Sequence, residues 1–155
     1  MSGERLSMRA GQIRGLSRSG FHHMRYVAWG RPNRRPPVLC VHGLTRNGRD
    51  FDRLAAALAP ERYVVCPDVV GRGASDWLKD PAGYGMPQYC ADLTALIAHL
   101  GAETVDWVGT SMGGLIGMTL AAQPGTPIRR LSSANTHDVG LRSAPGATIA
   151  GVYCT

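Results

Sequence analysis

Lysine is almost missing from this chain of 155 residues, because Lys79 is the single lysine beside sixteen arginines. The arginine excess runs along the whole chain, which indicates a general compositional bias rather than a basic patch that serves binding. Residues 1–35 carry eight arginines against one acid, Glu4, but no nucleic-acid-binding motif accompanies them. A nucleic-acid partner is therefore not expected, and salt-dependent retention on DNA would be the sign of one.

The sequence also lacks the patterns that mark secretion, metal binding or a membrane span. No apolar stretch of a secretory signal stands near the N-terminus. The cysteines form no C-x-x-C pair and no Cys/His spacing suited to zinc, so free thiols in a reducing cytoplasm are expected for Cys40, Cys66, Cys90 and Cys154. The uncharged run over residues 107–128 is long enough to cross a bilayer, but its glycines and prolines favour a buried strand, a turn and a helix. We expect no metal, no cofactor and no membrane partner.

What is present is an alternation of apolar runs and helical periodicity in a chain that is 44% apolar and 18% charged. The pattern predicts a hairpin and four buried strands, over residues 10–29, 38–41, 63–66, 104–109 and 128–134. Helices are predicted between these strands, the first capped by Asn47 with Phe51, Leu54, Ala55 and Leu58 on its apolar face. Strand–helix repeats with short connections predict an α/β fold, a mostly parallel sheet with helices on both faces after an N-terminal hairpin.

The segment Gly109-Thr110-Ser111-Met112-Gly113 is a G-x-S-x-G motif between a predicted strand and a predicted helix. That context is the one in which a sharp strand-to-helix turn exposes a serine hydroxyl above a sheet. Gly109 and Gly113 allow the chain to pack tightly on either side of the strained serine. Ser111 is therefore the candidate nucleophile, and the alternative is a glycine-rich turn with an incidental serine.

The segment Val41-His42-Gly43-Leu44 follows the first buried strand. A nucleophile elbow needs two backbone N–H groups for its oxyanion hole, one after the nucleophile and one from the loop after this strand. Met112 and Leu44 are the candidate donors. We expect His42 and Gly43 to lie beside the site, with His42 in a structural role, because the base in this arrangement follows the serine in the chain.

A third segment, Asp68 to Asp76, reads D-x-x-G-x-G-x-S-D and is a tight loop rather than a dinucleotide fingerprint. Two other motifs accompany this segment, HGLT at 42–45 and GTSMGG at 109–114. In their order and spacing, the three motifs resemble those of the α/β-hydrolase fold superfamily, and the resemblance covers residues 10–131. The resemblance implies Ser111 as nucleophile, Leu44 and Met112 as oxyanion donors, and a small-molecule acyl substrate. A serine at this place is similar to the esterase, lactonase and C–C hydrolase members.

The chain departs from that pattern after the fourth predicted strand. Family members then carry a lid, the triad acid and, last, the triad histidine. Here the only candidates after Ser111 are Asp138, as acid or as a turn-capping loop residue, and His137. The serines at 132–133 interrupt the apolar run, and residues 140–155 show no resemblance to the family. A truncated or frame-shifted reading frame would produce this pattern.

The resulting interpretation is a flexible N-terminus over residues 1–9, a partial α/β-hydrolase domain over 10–135 and an irregular tail over 136–155. We expect an esterase-like hydrolase with an acyl-serine mechanism, weakly active or inactive as given. The alternative is a non-catalytic fragment or binding module of hydrolase ancestry. An incomplete sheet also exposes a strand edge, through which the chain could self-associate.

Overall fold

Strands and helices alternate from residue 38 onward in the structure, a computed structural model that describes residues 8–134, residue 145 and residues 148–153. The strands of this part of the chain are β1 (Arg9–Ser17), β2 (Gly20–Trp29), β3 (Val38–Val41), β4 (Val64–Pro67), β5 (Val105–Thr110), β6 (Ile128–Ala134) and β7 (Thr148–Tyr153). Its α-helices are α1 (Asp52–Leu58), α2 (Met86–His99) and α3 (Met112–Ala121).

All seven described strands belong to one sheet, in the order β1-β2-β4-β3-β5-β6-β7. The hairpin β1–β2 is antiparallel and joins the sheet through an antiparallel pairing of β2 with β4. From β4 to β7 every neighbouring pair is parallel. The helices α1, α2 and α3 make the crossovers that parallel strands require.

Side chains of the central strands alternate between two helix-covered faces. Leu39 of β3 packs in one apolar cluster with Leu93 of α2 and Ile116 of α3. The next residue, Cys40, packs on the opposite face with Ala55 of α1. Successive strand residues point to opposite faces, so this division follows from the apolar run of β3. The predicted α/β class, with helices on both faces and an N-terminal hairpin, is confirmed.

The uncharged run over residues 107–128 divides into the end of β5, a turn, α3 and a loop to β6. The division agrees with the strand–turn–helix interpretation of its glycines. Within the described ranges, no helix is long and apolar enough to cross a membrane.

The first helix differs from its prediction at both its start and its apolar face. Residues Gly48–Phe51 form a 3-10 turn before α1, and the Asn47 side chain accepts a hydrogen bond from the Arg49 N–H. Leu54, expected on the buried face, is 39% exposed. The other three residues of the predicted face, Phe51, Ala55 and Leu58, pack in one cluster with β3 and β4, so only Leu54 departs from the prediction.

The serines of β6 do not interrupt the strand. Ser132 pairs with Val108 and Ser133 with Gly109, so the ladder continues to Ala134. Ser133 is buried, with 2% of its surface exposed. Backbone pairing on both sides holds β6 in the sheet, which corrects the view that the apolar pattern breaks the strand here.

The C-terminal residues 148–153 form β7 in parallel register with β6, from Thr148 beside Arg130 to Tyr153 beside Ala134. This corrects the expectation of an irregular tail for these six residues. A β6 edge without a partner would leave a row of unpaired N–H and C=O groups, which a short run with β-branched residues can satisfy. In consequence β5 and β6 are interior strands, and β1 and β7 are the outer strands of the described sheet. At the other end, Arg9 already belongs to β1 rather than to a flexible N-terminus.

The hairpin is fixed to α2 by a buried polar pair. His22 of β2 and Asp92 of α2 are 3% and 1% exposed, and the imidazole Nε2 lies 2.7 Å from the carboxylate. Gln88 donates a further hydrogen bond to Asp92 over 2.9 Å. Burial raises the pKa of Asp92, and the hydrogen bond from His22 opposes that rise. A methyl group on Gly15 would lie 2.5 Å from His22 Nε2, so β1 needs glycine there for the pair to form.

Candidate active site

Ser111 lies on the one-residue turn between the last residue of β5 and the first residue of α3. Its backbone has φ 51° and ψ −116°, and it is the only non-glycine residue with positive φ in the described part of the chain. Such a conformation costs about 1–3 kcal/mol and persists only where the surroundings impose it. The serine therefore sits at the carboxyl end of a parallel strand and at a helix N-terminus, as the G-x-S-x-G motif predicts.

The two glycines of the motif are required by close backbone approaches. A methyl group on Gly109 would lie 2.5 Å from the Gly114 nitrogen. A methyl group on Gly113 would overlap the Val41 carbonyl and lie 2.8 Å from the His42 carbonyl oxygen. The Gly113 carbonyl also accepts a 2.9 Å hydrogen bond from the indole N–H of Trp107. Without side chains at these positions, α3 can lie this close to β5 at Gly109 and to the end of β3 at Gly113.

The loop after β3 comes to the same place. A methyl group on Gly43 would contact Ser111 Cβ and the Thr110 carbonyl oxygen, both at 3.6 Å. The backbone N–H groups of Leu44 and Met112 donate no hydrogen bond to another residue in the ranges that the structure describes. Because the N-terminal N–H groups of a helix have no partner within the helix, Met112 is free to bind an anion. Both candidate oxyanion donors are therefore unpaired with respect to the described residues and lie beside the serine's turn.

His42 is buried and both of its ring nitrogens are occupied. Nδ1 lies 2.7 Å from the Gly43 carbonyl oxygen, and Nε2 accepts a 2.9 Å hydrogen bond from the Val69 N–H. These partners fix a neutral tautomer with the proton on Nδ1. Burial lowers the pKa of His42, which also favours the neutral ring. His42 is therefore a structural link between the loops after β3 and β4, and it has no free nitrogen to accept a proton from Ser111.

The loop from Asp68 to Asp76 is organised by its polar side chains. The Asp68 carboxylate accepts hydrogen bonds from the N–H groups of Gly48 at 2.7 Å and Ala74 at 2.9 Å. The Ser75 hydroxyl donates to the Asp68 carbonyl oxygen and accepts from the Arg25 N–H at 2.8 Å. The D-x-x-G-x-G-x-S-D run thus fastens the loop to β2 and to the turn before α1.

The structure brings together some of the candidate residues and leaves others outside its described part. Ser111, Gly43, Leu44 and Met112 meet at the carboxyl ends of β3 and β5. Asp138 and His137 lie outside the described residues. No histidine within residues 8–134 is hydrogen-bonded to Ser111. The site described here therefore contains a candidate nucleophile and oxyanion hole without a base in contact.

Sequence reasoning missed Arg72, whose guanidinium donates from Nε to the Leu44 carbonyl oxygen over 2.9 Å. The available signal was its position between Gly71 and Gly73, in a loop that follows a parallel strand. Loops at this edge of an α/β sheet carry ligand-binding residues, so an arginine in such a loop was a candidate for ligand binding.

Comparison with known proteins agrees with this geometry. The sequence profile of the alpha/beta hydrolase fold family matches residues 36–149. The chain belongs to the alpha/beta hydrolase fold family. The match continues past residue 135, where the sequence pattern placed the end of the domain, and reaches into residues 140–149, which had shown no resemblance to the family.

Three similar proteins illustrate the range of the family. The 3-hydroxybutyrate-oligomer hydrolase of Cupriavidus necator is 52% identical over 141 residues, covering 91% of this chain and 47% of that protein. The crystal structure of an alpha/beta hydrolase from Novosphingobium aromaticivorans is 43% identical, with a TM-score of 0.72, covering 80% of this chain and 43% of that one. The thioesterase domain from the curacin biosynthetic pathway is 27% identical, with a TM-score of 0.75, covering 84% and 47%. The chain spans less than half the length of each of these proteins.

Proposed function

We propose that this chain carries the nucleophile and oxyanion hole of a serine hydrolase that cleaves ester bonds. The observation that carries the proposal is the strained backbone of Ser111, with φ 51° at the turn from β5 to α3, in a chain of this family. Strain of this kind is characteristic of functional sites, because it orients one side chain at the expense of local stability. The N-terminus of α3 adds a favourable dipole for the negative charge that develops at the carbonyl oxygen.

In the proposed reaction Ser111 Oγ attacks the ester carbonyl and forms a bond to its carbon. The carbonyl oxygen becomes negative and accepts hydrogen bonds from the Leu44 and Met112 N–H groups. The carbon–oxygen bond to the alcohol then breaks, and the alcohol leaves with the proton from Ser111. Water hydrolyses the acyl-serine and restores the hydroxyl, releasing the acid.

For the substrate we propose short oligomers of 3-hydroxybutyrate. The proposal rests on the 52% identity to the 3-hydroxybutyrate-oligomer hydrolase over 91% of this chain. These compounds are esters of a small hydroxy acid and fit the expected small-molecule acyl substrate. The free thiols Cys40, Cys66 and Cys90 support a reducing compartment, and we propose the cytoplasm.

We further propose that the chain by itself is a slow enzyme. A serine hydroxyl needs a base to take its proton, and none of the described imidazoles contacts Ser111. Asp138 stays the candidate acid. Without a base, catalysis falls to the residual rate supplied by the oxyanion hole and by binding.

The test is covalent labelling of the purified chain with a fluorophosphonate, together with hydrolysis of the linear 3-hydroxybutyrate dimer. We expect slow labelling at one serine and turnover far below the ~10 per second of an average enzyme. Ser111→Ala should abolish both signals, whereas Ser19→Ala, in the hairpin turn, should change neither. Labelling that survives Ser111→Ala would refute the assignment of the nucleophile. A complete lack of labelling and turnover would favour the non-catalytic binding module.

A further inference from the structure

Arg72 presents a positive charge beside the candidate oxyanion hole, and its hydrogen bonds to the described residues all go to neutral groups. Nε donates to the Leu44 carbonyl oxygen at 2.9 Å, and Nη1 donates to the Val70 carbonyl oxygen at 2.9 Å and the Tyr89 hydroxyl at 3.1 Å. The guanidinium carbon lies 5.2 Å from the centre of the Tyr89 ring and 5.9 Å from that of Tyr84. These contacts fix the orientation of the planar guanidinium group, but they do not neutralise its positive charge.

No carboxylate of the part of the chain that the structure describes forms an ion pair with Arg72. Other arginines of the fold differ in this respect, because Arg62 and Arg129 both contact Asp106 at 2.7 Å. The two N–H groups on Nη2 of Arg72 donate to no other described residue. A half-buried guanidinium that has two free donors and forms no ion pair among the described residues is suited to accept a carboxylate.

The surroundings of Arg72 form a cavity that a small ligand could enter. Gly71, Arg72, Trp77 and Tyr84 line a volume of about 260 Å³. The Trp77 side chain is 78% exposed at this place, which is unusual for so large an apolar group. Arg72 links this cavity to the proposed oxyanion hole, because its guanidinium donates to the carbonyl oxygen of Leu44, whose N–H is a proposed oxyanion donor.

We propose that Arg72 binds the free carboxylate of the substrate and so determines specificity for anionic hydroxy-acid esters. This inference rests on the proposed ester hydrolysis at Ser111. In a linear oligomer of 3-hydroxybutyrate the terminal carboxylate stands only a few bonds beyond the last ester carbonyl. An ester whose carbonyl oxygen binds the Leu44 N–H has its terminal carboxylate only a short distance away. Arg72, which contacts the carbonyl oxygen of the same Leu44, therefore lies within reach of that carboxylate. The fixed fork loses little conformational freedom on binding, which favours affinity.

Binding can be measured without turnover on the Ser111→Ala chain. The linear 3-hydroxybutyrate dimer carries the charge that Arg72 is proposed to recognise, and its methyl ester replaces that charge with one methyl group. Trp77 provides the signal, since it is the tryptophan among the residues that line the cavity, whereas Trp107 is 1% exposed and Trp29 ends β2. We expect the free acid to change the tryptophan fluorescence at concentrations about 10- to 100-fold lower than the methyl ester does. Rising salt should weaken binding of the acid and leave that of the ester unchanged. Trp77→Phe should remove the fluorescence change.

Variants at position 72 separate recognition from a merely structural role. Arg72→Gln in the same background should remove the preference for the free acid, and Arg72→Lys should keep part of it, because lysine retains the charge but not the fork. Arg53→Gln, an exposed arginine on α1, is the matched control and should keep the full preference. Melting curves of all variants show whether the loop is still folded.

The ratio of the two affinities decides the question, because a general loosening of the loop affects both ligands alike. An equal affinity for acid and methyl ester in the Ser111→Ala chain, or a preference that survives Arg72→Gln, would overturn the assignment. If the chain with Ser111 intact shows neither labelling nor turnover but the Arg72-dependent preference persists, the proposed hydrolysis fails and the carboxylate site stands. If turnover occurs without the preference, the site fails and the hydrolysis stands.

Discussion

Gly113→Ala tests the close contact on which the whole candidate site depends. The added methyl group would overlap the Val41 carbonyl and lie 2.8 Å from the His42 carbonyl oxygen. Overpacking of a core usually costs about 1–3 kcal/mol, and a main-chain obstacle places this case at the upper end of that range. Alanine regains up to about 1 kcal/mol of helix propensity in α3. We therefore expect a net loss of about 2 kcal/mol in the free energy of unfolding, or a Tm lower by about 4–8 °C.

The assay is thermal unfolding followed by circular dichroism, together with fluorophosphonate labelling of Ser111. Labelling should slow in Gly113→Ala, because separation of α3 from β3 moves the Met112 and Leu44 N–H groups apart. Gly85→Ala is the matched control, since its methyl group would meet only Pro87 Cδ, at 3.8 Å, on an extended backbone. That control should stay within about 1 kcal/mol of the starting protein. A Gly113→Ala chain as stable and as reactive as the control would refute the close approach.

Two further predictions concern titration and charge. Burial lowers the pKa of His42, so its contribution to stability is present above the unfolded value of about 6.5 and is lost as the pH falls through the folded value. The Tm should fall between about pH 7 and pH 5, and less so in His42→Asn, whereas an equal fall would contradict the neutral assignment. Burial opposes ionisation of Asp106, but hydrogen bonds from Arg129 and Arg62 overcome it and lower the pKa. Asp106→Asn should cost about 1.5–3 kcal/mol near neutral pH in urea unfolding. That difference should shrink below about pH 4, and a constant one would disprove the role of the charge.

The elbow could be predicted from the sequence because all of its determinants are local. The apolar run of β5, the glycines at 109 and 113 and the periodicity of α3 adjoin each other in the chain, so strand, turn and helix follow from neighbouring residues. The unpaired N–H of Met112 follows from the same turn, because Met112 is the first residue of α3. The N–H of Leu44 belongs to the separate loop after β3.

The parts that could not be predicted depend on distant contacts. The contact between Arg72 and the Leu44 carbonyl joins residues 28 apart, and the pair of His22 with Asp92 joins residues 70 apart. No local pattern encodes either. Strand β7 was missed because six residues with a glycine carry little propensity of their own, and the open edge of β6 provides the missing partner.

The order of strands in the sheet also constrains how the chain can fold. Strand β3 lies between β4 and β5, and both of these follow it in the sequence. The hairpin β1–β2 forms early from adjacent residues, yet its own place in the sheet requires β4. During synthesis β3 therefore has both edges exposed until β4 and then β5 have left the ribosome. Closing these long loops makes assembly of the central strands slow compared with formation of the hairpin or of α2. The four-residue β3 precedes the loop that carries Gly43 to Ser111. Its second edge is paired only when β5, the strand that precedes Ser111, joins the sheet. The candidate site and the centre of the sheet therefore form in one step.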